Sequence, residues 1–156
     1  MKKFLLLAGM VSLIYACGGG NKEEKKETPA TAESTESAPA APADEKGIGK
    51  FTKVDLGDKL DAGMAQAGKG IFDIKCSACH KLTEEKLVGP GWKNVTQRRK
   101  PEWIMNFVTN VDEMLSKDPK AQAQLEICLV RMPNQNLTDD DARHILEFMR
   151  MNDGVK

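Results

Sequence analysis

The sequence predicts an all-α domain, and three observations support this class. Several segments place apolar residues at helical spacing, no segment of useful length alternates as a β-strand does, and there is no internal repeat. The chain has 156 residues, enough for one ordinary domain and some additional chain. Its 23 basic residues balance 23 acidic ones, which gives no support for a nucleic-acid binder. The apolar runs are too short for a polytopic membrane protein.

Residues 1–16 have the parts of a secretory signal peptide. Two lysines form a positive start, and the apolar stretch Phe4–Tyr15 that follows is too short to span a bilayer as a stable helix. Ala16 directly before Cys17 resembles the lipobox of bacterial lipoproteins. This resemblance implies cleavage before Cys17, acylation of that cysteine and attachment to a membrane through the lipid. The alternative is an ordinary secretory signal followed by an unmodified thiol.

Residues 17–45 are expected to form a disordered tether headed by the lipidated Cys17. From Gly18 to Glu45 there is no Leu, Ile, Val, Phe, Met, Trp or Tyr, and such a segment buries too little apolar surface to offset its chain entropy. A flexible coil of this length would span roughly 30 Å. The charged run shortly after Cys17 resembles the surface-export signals of some lipoproteins, but a solvated run of charges is the preferred interpretation.

The folded domain is expected to span residues 46–156, and two helices are predicted in its first half. The segment Ala62–Lys75 is rich in good helix formers and ends in large apolar residues. The segment Pro101–Thr109 opens with proline at the first helical position, where the missing N–H costs nothing. Its apolar residues recur at helical spacing: Trp103, Ile104, Phe107 and Val108.

Two further helices are predicted in the second half. A shorter one begins at Asp118-Pro119 and places apolar side chains on one face, namely Leu125, Cys128 and Leu129. The last helix spans Thr138–Met151, with its threonine as N-cap. Three aspartates in its first turn favour the helix dipole.

The segment from Cys76 to His80 reads Cys-Ser-Ala-Cys-His and carries the chemistry. Two thiols three positions apart can both form thioethers with the vinyl groups of one haem, and the histidine that follows is then held under the iron as proximal ligand. A thioredoxin-type redox disulfide would need a βαβ context, which the sequence lacks. A zinc site would have only Cys128 and His144 as further ligands. A structural disulfide between Cys76 and Cys79 would leave the histidine unexplained.

Three separate signatures accompany this motif. Gly68–Phe72 precedes it, Val88–Pro90 follows it, and Arg131–Asn134 lies before the last helix. In this order, over residues from about 67 to 150, they resemble the class I cytochromes c. The resemblance implies the cytochrome c fold, in which three to five helices wrap around one covalently attached haem c.

The resemblance also implies how the two ends of the domain meet. Gly68 is expected where the first helix crosses the last, because a missing side chain allows close approach. Phe72 would fill the core beside it, with Ile145 and Phe148 as partners in the last helix.

The resemblance further implies the surroundings of the iron. The Pro90 carbonyl would accept a hydrogen bond from His80, orient it and raise its basicity. Met132 would be the sixth ligand, and its soft thioether would favour ferrous iron and raise the potential. His144 is the rival for that position, but it lies in a helix already needed for packing.

Some residues have weaker signals. Trp103 is expected either to donate its indole N–H to a haem propionate, as in several relatives, or to anchor its helix in the core. Cys128 is expected to be a buried small hydrophobe, given its helical spacing with Leu125. Seven basic residues would form either a rim that docks acidic redox partners or ordinary surface charge. They are Lys75, Lys81, Lys86, Lys93, Arg98, Arg99 and Lys100.

These observations predict an electron carrier and not an enzyme. It would be a monomeric, membrane-tethered, single-haem cytochrome c that passes single electrons between respiratory complexes. A quinol-oxidising complex is the expected donor, and a terminal oxidase or periplasmic reductase the expected acceptor. The location would be the periplasmic side of a bacterial membrane, and Gly18 after Cys17 favours the outer membrane. The alternatives are a haem enzyme or gas sensor with an open sixth iron site, and a fixed cytochrome subunit of a larger complex.

Overall fold

The computed structural model describes residues 45–156, and within this range all regular structure is helical. The elements, in chain order, are α1 (Ala62–Ile71), a π-helical turn (Phe72–Cys76), α2 (Val95–Arg98), α3 (Pro101–Thr109), α4 (Val111–Lys117), α5 (Pro119–Cys128) and α6 (Asp139–Asn152). The all-α prediction is confirmed, although six α-helices exceed the expected three to five. No helix in the described range has the length and apolarity needed to cross a bilayer. The predicted signal, Cys17 and the tether as far as residue 44 lie outside the described residues.

The first predicted helix is present, but its last turn is wider than an α-helix. Asp61 caps α1, because its carboxylate accepts the Met64 N–H at 2.9 Å. After Ile71 the backbone hydrogen bonds change from the i→i+4 to the i→i+5 pattern. An example is the bond from the Ser77 N–H to the Phe72 carbonyl at 2.9 Å. The sequence motif from Cys76 to His80 therefore begins at the end of a π-helical turn.

The close crossing of α1 and α6 is confirmed, and it is the most extensive packing of two helices in the described domain. A β-carbon on Gly68 would lie 2.1 Å from the His144 carbonyl oxygen and 2.9 Å from the Phe148 β-carbon. The Phe72 ring packs beside this point, with its centroid 5.4 Å from that of Phe148. Ile145 is buried in the same core. The glycine is thus required by the distance between the two backbones.

The start of α6 is as predicted. The Thr138 hydroxyl accepts the Asp141 N–H at 3.1 Å, and the Asp141 carboxylate accepts the Thr138 N–H at 3.1 Å. This reciprocal capping box satisfies two backbone donors that the helix itself leaves unpaired.

Three features of the helices differ from expectation. Helices α2 and α4 were not predicted, and α4 buries Met114 and Leu115 on one side of its short length. Leu129 does not share the buried face of α5. It follows the last turn with φ of 60° and is 84% exposed.

An irregular segment, residues 46–54, runs along α3 and α4 near the start of the described range. The fully buried amide of Asn106 accepts the Phe51 N–H at 2.9 Å and donates to the carbonyls of Lys46 and Phe51 at 2.9 and 3.0 Å. Glu102 accepts the Val54 N–H at 3.1 Å. The chain is therefore tied to one face of α3 before α1 begins.

Candidate functional site

A large cavity lies between the loop after the Cys-Ser-Ala-Cys-His motif, α3, α5 and the loop before α6. It contains about 1010 Å³ of empty space, including its open mouth, and its walls are mostly apolar. The structure brings five of the predicted site residues to its walls: Cys79, His80, Pro90, Trp103 and Met132. Cys76 is buried at the end of the π-helical turn beside them. Cys17 lies outside the described residues.

His80 is held in one orientation by its neighbour across the loop. Its Nδ1 lies 2.9 Å from the Pro90 carbonyl oxygen, which can only accept, so Nδ1 carries the proton and donates. Burial lowers the pKa of His80, although the same carbonyl acts in the opposite direction. The imidazole is therefore neutral at pH 7, and Nε2 is left as a free metal ligand.

The Gly89-Pro90 pair is needed for this contact. A β-carbon on Gly89 would lie 2.3 Å from His80 Cε1, so any side chain there would displace the ring. The Gly89 N–H also donates to the Cys79 carbonyl at 2.8 Å, which fixes the loop against the motif.

The two cysteines of the motif lie one turn apart, and both are free thiols. The Cys79 and His80 N–H groups donate to the Cys76 carbonyl at 3.0 and 2.9 Å, so the turn presents the three side chains together. Burial raises the pKa of the Cys76 thiol to about 11; nearby Lys75 opposes this effect and Cys79 adds to it. Among residues 45–156, no three His, Cys, Asp or Glu side chains converge as a metal-binding group. A zinc site therefore has no ligand set in that range.

Trp92 is a site residue that the sequence analysis missed. It is buried, lines the cavity and packs against His80 with ring centroids 5.5 Å apart. Its ring centroid is 4.8 Å from that of Phe72, so it links His80 to the α1–α6 core. The available signal was the residue type, because tryptophan is highly buried on average and few other large apolar residues lie near it in the loop.

Two methionines line the cavity, one of them predicted. Met132 is half-buried in the loop before α6, and Met149 is buried within α6. His144, the predicted rival ligand, is not among the described residues that line the cavity; its backbone lies at the crossing with Gly68. Cys128 is half-buried instead of buried, and it faces the cavity from the end of α5.

Trp103 lines the cavity, but its indole N–H is already engaged. It donates to Asp118 at 3.1 Å, and the same carboxylate oxygen accepts the Ala121 N–H at 2.8 Å to cap α5. An indole has one donor, so the expected bond from Trp103 to a propionate is wrong for this structure, and the residue is a core anchor. Its ring stacks on Phe107, with centroids 5.0 Å apart and an interplanar angle of 9°.

Three of the seven basic residues form ion pairs within residues 45–156. Lys81, Lys93 and Lys100 each pair with a glutamate. Lys75 and Lys86 donate to the backbone carbonyls of Gln135 and Ile127, at 3.0 Å each. The two carbonyl contacts leave the charge of Lys75 and Lys86 in place, so the described residues do not decide between a docking rim and ordinary surface charge.

The comparisons agree with this geometry. The sequence profile of the cytochrome c family matches residues 65–153. The structure is similar to that of cytochrome c from Rhodothermus marinus, with 35% identity, a TM-score of 0.67, and coverage of 70% of this chain and 93% of that chain. An engineered cytochrome c from the same organism, Rma TDE, shows 34% identity, a TM-score of 0.66, and coverage of 70% and 94%. The same engineered protein bound to a carbene intermediate gives 34% identity, a TM-score of 0.63 and the same coverage. A comparison with curated proteins finds no match.

Proposed function

The chain belongs to the cytochrome c family, whose members carry covalently attached haem c and transfer electrons, and from this premise we propose a membrane-tethered carrier with one His/Met-ligated haem. Cys76 and Cys79 would form the two thioethers. His80 would be the proximal iron ligand and Met132 the sixth. The observation that carries the proposal is the hydrogen bond between His80 and Pro90, because it leaves a neutral imidazole with one free nitrogen at the cavity wall.

The residues present fit a haem. The cavity is large, its walls are apolar, and the charged side chains that line it are arginines, which suit a group with two carboxylates. The thiols lie one turn apart beside the histidine, as attachment through two vinyl groups requires. When bound, haem supplies an iron that accepts and releases one electron.

The protein would control this iron through a few contacts. Pro90 would keep His80 oriented and basic in both oxidation states. The rings of Trp92 and Phe72 would hold the proximal side rigid. The apolar walls would keep water from the iron, and Met132 would favour the ferrous state.

Tethering and partners belong to the same proposal. The Ala16-Cys17 sequence supports lipid attachment on the periplasmic side of a bacterial membrane, and the composition of residues 18–45 supports a flexible link. Redox proteins are the partners of this family. A quinol-oxidising complex is the proposed donor, and a terminal oxidase or periplasmic reductase the proposed acceptor. A tether would raise the concentration of the carrier near such complexes.

A second function is favoured by one observation on a relative. The engineered Rhodothermus marinus protein has been solved with a carbene intermediate bound. By analogy, an iron that exchanges Met132 for an outside ligand would make this chain a haem enzyme or a gas sensor.

The optical spectrum of the reduced, haem-loaded full chain separates the two functions. We expect carbon monoxide to leave this spectrum unchanged, because Met132 occupies the sixth position of a carrier. Rapid binding of carbon monoxide would contradict the carrier and support the open-site function.

A further inference from the structure

The end of α6 contacts the chain on both sides of Pro90. The helix ends at Asn152, and Asp153 follows it as the C-cap. Asn152 donates to the Leu82 carbonyl at 3.0 Å, ahead of the proline in the sequence. The Asp153 carboxylate accepts hydrogen bonds from residues 94 and 96, which follow the proline. The last residues of α6 therefore hold the two segments between which Pro90 lies.

Asp153 caps α2 although it belongs to another helix. Its carboxylate accepts the Asn94 N–H at 2.6 Å, the Thr96 N–H at 2.9 Å and the Thr96 hydroxyl at 2.6 Å. Helix α2 has only four residues, and so short a helix is unstable by itself. Asn94 precedes it with φ of 59°, and its side chain makes no capping bond. This conformation costs free energy in most residues other than glycine, so the turn depends on the distant carboxylate.

The capped turn is linked to His80 through Trp92. The Val95 N–H donates to the Trp92 carbonyl at 3.0 Å, and the Trp92 N–H donates to the Lys81 carbonyl at 2.8 Å. Lys81 directly follows His80, and the Trp92 ring lies 5.5 Å from the imidazole between centroids. The start of α2 is thus connected to His80 by both backbone and ring contacts.

The backbone beside Pro90 has little room to move. A β-carbon on Gly91 would lie 2.2 Å from the Thr83 carbonyl oxygen, and the Lys93 N–H donates to the same oxygen at 3.3 Å. Pro90 directly precedes Gly91, and its carbonyl accepts the proton on His80 Nδ1. A shift of residues 91–94 would therefore move this acceptor away from the imidazole.

We propose that Asp153, assisted by Asn152, is a positioning residue for the iron ligand His80. Asp153 would fix α2, and α2 would fix the segment whose Pro90 carbonyl accepts the imidazole proton. This inference rests on the proposed haem site. Because α6 also packs against α1, the same helix would join the core of the domain to the orientation of the ligand.

The predicted consequence is a change in the electron affinity of the iron. A hydrogen bond from His80 to the Pro90 carbonyl makes the imidazole a more basic ligand. A more basic ligand favours ferric iron, which carries the higher charge. Loosening this bond should therefore raise the ratio of reduced to oxidised protein.

The test combines proton exchange and redox titration of the haem-loaded full chain. Exchange of the His80 Nδ1 proton is followed by NMR in the reduced protein, with Asp153→Ala, Asp153→Asn and Asp61→Ala as variants. We expect Asp153→Ala to speed this exchange about tenfold and to raise the ratio of reduced to oxidised protein about threefold at a fixed applied potential. Asp153→Asn keeps an oxygen acceptor, so both quantities should stay within about twofold of the wild type. Asp61→Ala removes a cap from α1 and should also stay within about twofold, because Asp61 does not contact the Pro90 segment.

The variants separate positioning from general destabilisation. Equal effects of Asp61→Ala and Asp153→Ala would overturn the inference, and so would wild-type values in Asp153→Ala. An effect of Asp153→Asn as large as that of Asp153→Ala would overturn it too, because the acceptor would then be irrelevant. If Asp153→Ala fails to acquire haem, Thr96→Val removes only the hydroxyl bond, and wild-type exchange of the His80 proton in that variant would be the contrary result. The carbon monoxide spectrum tests the electron carrier separately, since it reports on Met132 and not on the His80 side of the iron.

Discussion

Met132 and Met149 both line the cavity. Their positions in the chain indicate which of them would bind the iron. Met132 lies in a loop and is half-buried, whereas Met149 is 4% exposed and fixed within α6. We expect Met132→Ala to open the sixth position, so that the reduced protein binds carbon monoxide and its potential falls. Optical spectra and redox titration of the haem-loaded chain measure both effects.

Met149→Leu is the matched control for this prediction, because it conserves volume and removes only the sulfur. It should leave the carbon monoxide response and the potential unchanged. If Met149→Leu opened the site and Met132→Ala did not, the ligand would come from the helix instead of the loop.

Individual side chains show which contacts could be predicted from the sequence. The family resemblance predicts roles around the iron for His80, Pro90 and Met132, and the structure brings all three to one cavity. The hydrogen-bond partner of the Trp103 indole could not be predicted. Helix α4 lies between Trp103 and Asp118 in the sequence, so only the folded chain brings the two side chains together. A buried indole needs an acceptor, but the sequence does not say which one.

At the level of helices, the crossing of α1 and α6 leads to opposite predictions for two glycines of α1. Gly68→Ala would place a β-carbon 2.1 Å from the His144 carbonyl oxygen, so the backbones must separate. Gly70→Ala, two residues along the same helix, would meet nothing within 4 Å. We expect Gly68→Ala to lower the free energy of unfolding by about 1–3 kcal/mol, and Gly70→Ala to raise it by about 0.5–1 kcal/mol. Denaturant unfolding of the haem-loaded chain measures both, and equal effects would contradict this crossing.

Helix boundaries could be predicted where a cap marks them. Pro101 at the start of α3 and the capping box of α6 are local signals, and both helices begin as expected. Helix α4 has seven residues and no side-chain cap, so its helicity depends on burying Met114 against the rest of the domain. The π-helical turn before Cys76 likewise depends on a backbone bond that no residue type specifies.

Glu147, with its partner Arg150, links α6 to the segment before α1. This carboxylate makes the stability of the domain depend on pH. It is fully buried, and Arg150 donates to its two carboxylate oxygens at 2.7 and 2.9 Å. Arg150 also donates to the Gly57 carbonyl at 2.7 Å, which ties α6 to the segment before α1. Burial alone would raise the pKa of Glu147, but hydrogen bonds and charge from Arg143 and Arg150 outweigh it, and the pKa is lowered.

A lowered pKa in the folded state gives stability that is present above the unfolded pKa of about 4.3 and lost as the pH falls through the folded value. We expect the free energy of unfolding to fall below about pH 4. Glu147→Gln should cost about 3–5 kcal/mol at neutral pH, because it leaves Arg150 without its charged partner, and should flatten the acid decline. Asp141, whose pKa is lowered by bonds from Thr138, accounts for part of the remaining slope. Unfolding curves across this pH range test the prediction, and an unchanged slope in Glu147→Gln would exclude the carboxylate as its source.

At the scale of the whole domain, Asn106 holds the first described residues against the helices. This amide makes three hydrogen bonds to the backbone of residues 46–51. Asn106→Ala leaves those groups without partners, at a cost of about 1–3 kcal/mol in local stability. We expect residues 46–54 to separate from α3 while the helices stay folded, because the Gly68 crossing does not depend on this segment.

The measurement is limited trypsin digestion of the haem-loaded chain, since Lys46, Lys50 and Lys53 lie in that segment. Cleavage there should accelerate about tenfold in Asn106→Ala, in proportion to the population of the open state. Asn134→Ala, at an exposed asparagine near Met132, should cleave at the wild-type rate. Acceleration in both variants would indicate general loosening of the domain. Acceleration in Asn106→Ala alone would show that one buried amide holds residues 46–54 against the folded helices.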